Sequence, residues 1–335
     1  MASHTSEQTH SLSGRRIIVA GAGIAGLAFL RALHKTWPQD VPRPRISVYE
    51  RDPRHLPADR GNYSLALRGD SASRGLQSLQ QLGVIDEAYA ARAPGSEGTT
   101  LVRDAQWNTL VAIKGKSTPP DQLPCSHMRI TRHNIREVLI QGTENAAEMH
   151  WETACTSAAT LKDGTVEVKL SDGSLATCDL LVIADGASSK LRGSLRPDDT
   201  LQFAGAVMVG GQAIFQEGGV PKELQEGGGP LLGGEGHGLV VFPTAPNEYV
   251  WFVTRRSQSP REAIKGDGNA KLQSEILEEA RREGAAFGAP LEALLEATDA
   301  DSLKTLNAQD KPPIAHDHIL EKPIIFIGDS NHAVR

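Results

Sequence analysis

The apolar positions of this chain gather into short blocks, several of which stop on a glycine or an acid–glycine pair. Ile17-Ile18-Val19-Ala20 is apolar, partly β-branched, and runs straight into Gly21, which predicts a buried strand. Leu27-Ala28-Phe29-Leu30-Arg31-Ala32-Leu33 is rich in Ala and Leu, has no breaker, and predicts a helix. Ile46-Ser47-Val48-Tyr49 predicts a second strand, ending on Glu50. Leu180-Leu181-Val182-Ile183-Ala184 predicts another before Asp185-Gly186, and Ile324-Ile325-Phe326-Ile327 a last one before Gly328-Asp329.

Between these blocks the pattern changes. Residues 98–115 and 200–255 read as β-structure, with residues 238–243 and 249–254 forming a hairpin around Pro246-Asn247-Glu248. Residues 59–68 alternate after Gly61 and predict a short strand behind a flexible loop. Leucines at helical spacing in residues 73–83, stopped by Gly83, predict an amphipathic helix. Residues 269–297 are helical in composition, with a break between Gly284 and Pro290. The glycine-rich stretch 222–238 predicts a mobile or unusual loop. Phe203, Phe215, Phe242, Trp251 and Phe252 either line a substrate pocket or fill ordinary sheet core.

The 335 residues suffice for one large domain or two connected ones, and 39% hydrophobic with 23% charged residues is a globular profile. A net charge of −6 argues against a basic face for nucleic acid or anionic lipid. No apolar run approaches the roughly 18 residues that span a bilayer, so no membrane segment is expected. Residues 1–13 are polar and read as a disordered tail without the apolar core of a signal peptide. Cys125, Cys155 and Cys178 are odd in number and far apart, which points to a reducing, cytoplasmic compartment.

Gly21-x-Gly23-x-x-Gly26 therefore sits between a strand and a helix, where glycine-rich turns hold dinucleotides. Gly21 permits the tight turn, Gly23 lets the backbone approach a pyrophosphate, and Gly26 lets helix and strand pack closely. The helix start then offers N–H groups and a positive dipole end to the phosphates. Glu50 follows at close to the offset of about 20 residues expected for the acid that accepts ribose hydroxyl protons. This motif alone leaves the choice of dinucleotide open. Asp329, a two-oxygen acceptor at a strand end, suits a ligand hydroxyl. Asp185-Gly186 is either such a site or a common turn pair. His316-Asp317-His318 puts two imidazoles on one strand face, but lacks a third metal ligand nearby and reads as a solvated loop. No GxSxG elbow marks a hydrolase.

With GxGxxG, a mid-chain Asp185-Gly186 and a late Gly328-Asp329 in order, the chain resembles the single-component flavoprotein monooxygenases, the family of para-hydroxybenzoate and salicylate hydroxylases. The resemblance covers roughly residues 14–333 and is thin between about 195 and 310. It implies a Rossmann-type α/β FAD-binding domain (residues 14–70, 120–195 and 310–335) interleaved with a mainly antiparallel β-sheet substrate domain (71–119 and 196–309). It likens Glu50-Arg51 to the family's strand ending and residues 128–139 to its Arg-x-x-Leu helix, which places Arg132 near the FAD. It makes Arg60 the candidate for an arginine that touches FAD phosphate or controls flavin movement. It gives Arg192 a place in Asp-Gly-x-x-Ser-x-x-Arg, either bracing the Asp185 turn or meeting NAD(P)H.

The activity so implied is NAD(P)H- and O2-dependent hydroxylation of a phenolic or polyketide-like aromatic small molecule through a flavin C4a-hydroperoxide. It needs no protein nucleophile or metal, because the cofactor carries the chemistry. The alternatives are another FAD oxidoreductase such as a reductase, a non-catalytic FAD-binding remnant, and an NAD(P)-only dehydrogenase, which leaves Gly328-Asp329 unexplained. The family usually continues past this motif with Pro-x-x-Gly-x-Gly and a helix facing the flavin ring, so a chain stopping at Arg335 is expected to be C-terminally truncated.

Overall fold

The computed structural model describes residues 10–55, 63–70, 72–95, 97, 99–114, 122–143, 145–266, 268–316 and 323–333. The expected tail lies largely on residues 1–9, outside the described residues, while residues 11–14 form a turn. The chain divides into two compact units, residues 1–55 with 139–201 and 311–334, and residues 56–138 with 202–310. The expected boundaries thus shift: residues 56–70 and 120–138 belong with the second unit, and 196–201 with the first. Ser64–Arg68 bonds antiparallel to His127–Thr131 in a ribbon of its own, and Arg129 of that ribbon lies over the Phe242 ring of the second unit.

The first unit is built on a five-stranded parallel sheet in the order Ile324–Phe326, Leu180–Ile183, Arg16–Ala20, Arg45–Tyr49 and Glu148–His150. Parallel neighbours need a crossover, and the helix Ile24–Thr36 supplies it between the Arg16–Ala20 and Arg45–Tyr49 strands. It buries Gly26, Leu27 and Leu30. A Cβ on Gly26 would lie 3.3 Å from Val19 Cγ1, so the helix rides on the Val19 face. Alternation sends Ile18, Ala20, Leu181 and Ile183 to the opposite face. There they pack against Val166, Val168 and Leu170 of an antiparallel ribbon, Cys155–Thr160, Val166–Leu170 and Leu175–Cys178.

The second unit carries a seven-stranded sheet, ordered Thr298–Asp310, Gln202–Ile214, Glu248–Arg256, His237–Ala245, Gly229–Gly234, Thr99–Asp104 and Thr109–Lys114. Only the Gly229–Gly234 and Thr99–Asp104 pair runs parallel. One face holds Val209, Ala213, Leu231, Leu239, Val241, Trp251 and Val253, covered by the helices Ala270–Glu283 and Gly288–Glu296 through Ile276, Ala280, Leu291, Leu294 and Leu295.

Four expectations change here. Part of the glycine-rich stretch is a strand, and its glycines serve close backbone packing: a side chain on Gly229 would collide with the Leu101 carbonyl of the parallel neighbour. Residues 127–131 are strand, and the helix begins only at Arg132. The break in residues 269–297 is a single 3-10 turn, Ala285–Phe287, and Pro290 lies within the first turn of the next helix, where a missing N–H is harmless. His316 accepts the Phe326 N–H through Nε2 at 2.9 Å, while Asp317 and His318 lie outside the described residues. Among the described residues, no helix is long and apolar enough to cross a membrane.

Trp251 is the largest fully buried side chain, and its indole N–H donates to Thr298 Oγ1 at 2.9 Å. Trp251→Ala is predicted to cost about 3–5 kcal/mol, read as a lowered denaturation midpoint of the second unit. A midpoint equal to that of the parent chain would refute this account of the core.

Candidate functional site: four strand ends of the parallel sheet

Register brings the three sequence motifs and Glu50 into one row. Ala20 pairs with Tyr49 on one side and Ile183 on the other, and Ile183 pairs with Phe326. The carboxyl ends of four adjacent strands therefore lead directly into Gly21, Glu50, Asp185 and Gly328-Asp329. In open α/β sheets this edge is where ligands bind.

The glycines of the first turn differ in what they do. Gly21 has φ +109°, which L side chains avoid, and a Cβ there would lie 2.5 Å from the Ala184 carbonyl oxygen. A Cβ on Gly26 would collide with the Gly21 carbonyl oxygen. Gly23 caps the helix with φ −81° and ψ −174°, a backbone open to any residue, and no side chain caps the helix start. Conformation requires glycine at 21 and close packing requires it at 26, whereas Gly23 is left for an approaching ligand.

Glu50 is buried, and both carboxylate oxygens accept backbone N–H groups: Oε2 from Ala22 at 2.6 Å and Oε1 from Asp52 at 2.9 Å. It braces the glycine turn, and each oxygen keeps a further lone pair for a hydroxyl donor. Arg51 is exposed and makes a long ion pair to Asp52 at 3.8 Å.

Asp185 takes the Leu191 N–H on Oδ2 at 3.4 Å, while its Oδ1 is buried without a hydrogen-bond partner among the described residues. Burial pushes its carboxyl above the usual range, against the opposing pull of Ser189, Leu191 and Arg192. Gly186 adopts φ +87°, which favours glycine after the acid. Gly328 adopts φ +58°, and a Cβ there would lie 2.6 Å from Ala25 Cβ, so the late motif sits against the first turn of the glycine-rich helix. Asp329 follows, exposed, in a 3-10 turn whose last residue, Ser330, is buried.

Arg192 resolves to the bracing role. It is buried, its Nε donates to the Asp199 carbonyl at 3.1 Å and its Nη1 to the Ser330 carbonyl at 3.0 Å, and its Nη2 donates to the Ala187 carbonyl. It thereby ties the mid-chain turn to the late one. Lys311 does the same from another side: its buried Nζ pairs with Asp199 Oδ1 at 3.1 Å and donates to the carbonyls of Pro312 and Asn331. Ser330 closes the turn, its hydroxyl lying 2.7 Å from the Ile183 carbonyl. Sequence reasoning missed Lys311 and Ser330. A lysine directly before Pro312-Pro313 was the one available signal.

Arg132 lies in the second unit, at the start of the helix Arg132–Ile140, with its N–H on the Tyr63 carbonyl at 3.0 Å. Arg60 lies outside the described residues. Gly21, Gly23, Gly26, Glu50, Arg51, Asp185, Gly186, Gly328 and Asp329 all share the first unit.

The residues present fit an FAD. The helix start at Gly23 carries no side-chain cap, and Asp185 Oδ1 is an orphaned acceptor suited to a hydroxyl-rich ligand. Because the backbone at Gly23 tolerates any residue, Gly23→Val is predicted to fold with a thermal midpoint close to the parent while its FAD affinity falls at least about tenfold. Unchanged affinity in a fluorescence titration would remove the pyrophosphate from this turn.

The raised value of Asp185 gives a second prediction. The fold favours its neutral form, so that contribution is fully present below the unfolded value and is lost as pH rises through the folded one. Asp185→Asn is predicted to raise the thermal midpoint of FAD-free protein at pH 7, with a smaller gain near pH 4, and to weaken FAD binding about tenfold. A midpoint that falls at pH 7 would contradict the orphaned-acid account.

The chain matches no protein-family model. It is 36% identical over 332 residues to the monooxygenase cfoF of Aspergillus candidus, covering 97% of this chain and 78% of that protein. It is 29% identical over 184 residues to a probable FAD-dependent monooxygenase of Arthroderma benhamiae, covering 53% of this chain and 38% of that one. Klebsiella pneumoniae HpxO, solved with FAD and uric acid, superposes with a TM-score of 0.72 at 20% identity, over 98% of this chain and 76% of that one, and shares the fold. The fold, the cradle at four strand ends and a relative aligned over nearly the whole chain agree: this chain belongs to the FAD-dependent monooxygenases.

Proposed function

We propose that this protein hydroxylates a planar aromatic small molecule, phenolic or polyketide-like, at the expense of NAD(P)H and O2. The observation that carries the reading is the row of ligand-facing strand ends in which Asp185 keeps a buried acceptor without a partner. In this reading the first unit holds FAD and the second carries the substrate. The unpaired first-turn N–H groups behind Gly23 take the pyrophosphate. Glu50 accepts a ribose hydroxyl with its remaining lone pairs, and Asp185 and Asp329 accept further hydroxyls along the cofactor. FAD, when bound, would supply the redox chemistry, in which NAD(P)H is the reductant, one oxygen atom of O2 enters the substrate and the other leaves as water.

No side chain of the protein acts as nucleophile in this scheme. Its residues hold the dinucleotide, orient the ring to be hydroxylated and keep water away. The aromatic character of the substrate is supported by the ring-bearing sheet of the second unit, where Phe242 and Phe252 lie on the face opposite the helices. HpxO, with its bound uric acid, offers a planar ligand on the same fold. The three buried, free cysteines accord with a reducing, cytoplasmic setting.

The decisive experiment follows NAD(P)H oxidation by FAD-loaded protein with phenolic probes such as 1-naphthol under labelled O2. The expected result is acceleration by the probe and one labelled oxygen in the product. Turnover of the probe under strict anaerobiosis would overturn hydroxylation in favour of a reductase.

A further inference from the structure

The helix-free face of the seven-stranded sheet differs in chemistry from the covered one. Pairing fixes its members: Val240 opposite Phe252, Phe242 opposite Val250, Gly210 opposite Phe252, Gln212 opposite Val250. A Cβ on Gly210 would collide with the Phe252 ring, so the glycine makes room for that ring on this face. The Phe242 ring is capped by Arg129, whose guanidinium carbon lies 3.4 Å from the ring centroid and which donates to the Ser64 hydroxyl at 2.9 Å. The surface is apolar and aromatic at its centre, with the Arg129 guanidinium over Phe242, Lys304 opposite Gly210, and a further group of polar side chains at one end.

Those groups sit at a β-bulge. Pro243 pairs with Tyr249 and Ala245 with Glu248, so Thr244 and Ala245 together oppose Glu248. Glu248 alternates with Tyr249 and so belongs to the helix-free face with Val250. Its carboxylate accepts the Gln212 side-chain amide at 2.7 Å. Thr244 remains. It is 5% exposed, and its hydroxyl has no hydrogen-bond partner among the described residues. Buried hydroxyls are nearly always satisfied, and one that is not asks for an explanation.

We infer that the Thr244 hydroxyl is the polar anchor of the substrate, selecting a planar ring compound through an uncharged hydroxyl or carbonyl oxygen. The inference rests on the hydroxylase reading above and adds the substrate's recognition group to it. A threonine hydroxyl donates and accepts, so it serves either oxygen. Glu248, across the bulge and bonded to Gln212, disfavours an anionic oxygen beside Thr244, whereas the Arg129 guanidinium over Phe242 and Lys304 opposite Gly210 put positive charge further along the same face. A surface built to hydrogen-bond one oxygen discriminates against the analogue lacking it, because the buried partner is then left unpaired. Phe252 and Val240 present the rings, and Thr244 sets which ring position carries the oxygen.

The test uses FAD-loaded protein and two matched probe pairs, 1-naphthol with naphthalene and 4-hydroxyquinoline with quinoline. Dissociation constants come from equilibrium dialysis, alongside the thermal midpoint of probe-free protein. Thr244→Val keeps the shape and removes the hydroxyl, whereas Thr244→Ser keeps the hydroxyl. The expected result is that Thr244→Val weakens the hydroxylated member of a pair about tenfold and leaves the bare ring unchanged. Its midpoint stays level or rises, and Thr244→Ser retains the preference. A Thr244→Val protein with a lower midpoint and an unchanged preference would make the hydroxyl structural and overturn the proposal. Should the parent bind both members of each pair equally, this inference falls and the hydroxylase reading stands. Should it bind none of the four, the aromatic-substrate reading falls and takes the inference with it.

Discussion

The carbonyl oxygen of Gly21 occupies the space that a side chain on residue 26 would need, and the rest of the cofactor-facing edge depends on that approach. It sets the helix directly on the turn leaving the first strand. The same constraint recurs twice. Gly21 itself leaves no room for a Cβ beside the Ala184 carbonyl, and Gly328 leaves none beside Ala25. Two of these approaches, the Gly21 carbonyl against residue 26 and Gly328 against Ala25, pin the first helical turn at the strand ends, while Gly21 seats its own turn against Ala184. A methyl added at Gly26 or Gly328 would push the helix away from the edge where its dipole acts.

Such a tight edge has to be held against the repulsion of its own carbonyls, and the protein does so with buried cations. Arg192 and Lys311 each distribute their N–H groups over several backbone carbonyls from two turns that are remote in sequence. Buried charges of this kind add little net stability, because desolvation offsets what the contacts return. What they do is fix geometry: a cation surrounded by carbonyls has few alternative arrangements. The consequence for function is that the acid side chains of the neighbouring turns need no conformational search before a ligand arrives, which lowers the entropic cost of binding. Asp185 is the complementary case, an acid kept partly unsatisfied where a ligand can complete it.

The second unit separates support from recognition by the simplest device a sheet has. Alternation gives one face to the helices, with Trp251, Leu239 and Val241 in a closed core, and the other face to Phe252, Phe242 and Val240. Alternation from Val240 and Phe242 carries Thr244 into the second group, and the bulge sets Ala245 opposite Glu248 beside it. Gly210, by lacking a side chain, leaves room for the Phe252 ring over its strand.

The cofactor-facing edge was largely legible in the sequence. Strand, glycines, helix, strand and acid in close order state their own geometry, because each glycine answers a local steric demand and each apolar run is short and fully buried. The late Gly328-Asp329 could be read for the same reason. The sequence was silent where burial is partial or pairing is remote. Thr298–Asp310 is a long strand with few buried apolar residues, held by register to Gln202–Ile214, and the ribbon from Cys155 to Cys178 has short strands whose partners are one another. The glycine-rich stretch looked like a loop, because glycine signals loops locally and close strand packing only in three dimensions. The split of Arg132 from the glycine turn into another unit, the carbonyl cages of Arg192 and Lys311, and the orphaned hydroxyl of Thr244 were decided by tertiary structure alone. A sequence records which groups exist, but whether a polar atom finds a partner depends on what the fold brings within about 3 Å of it.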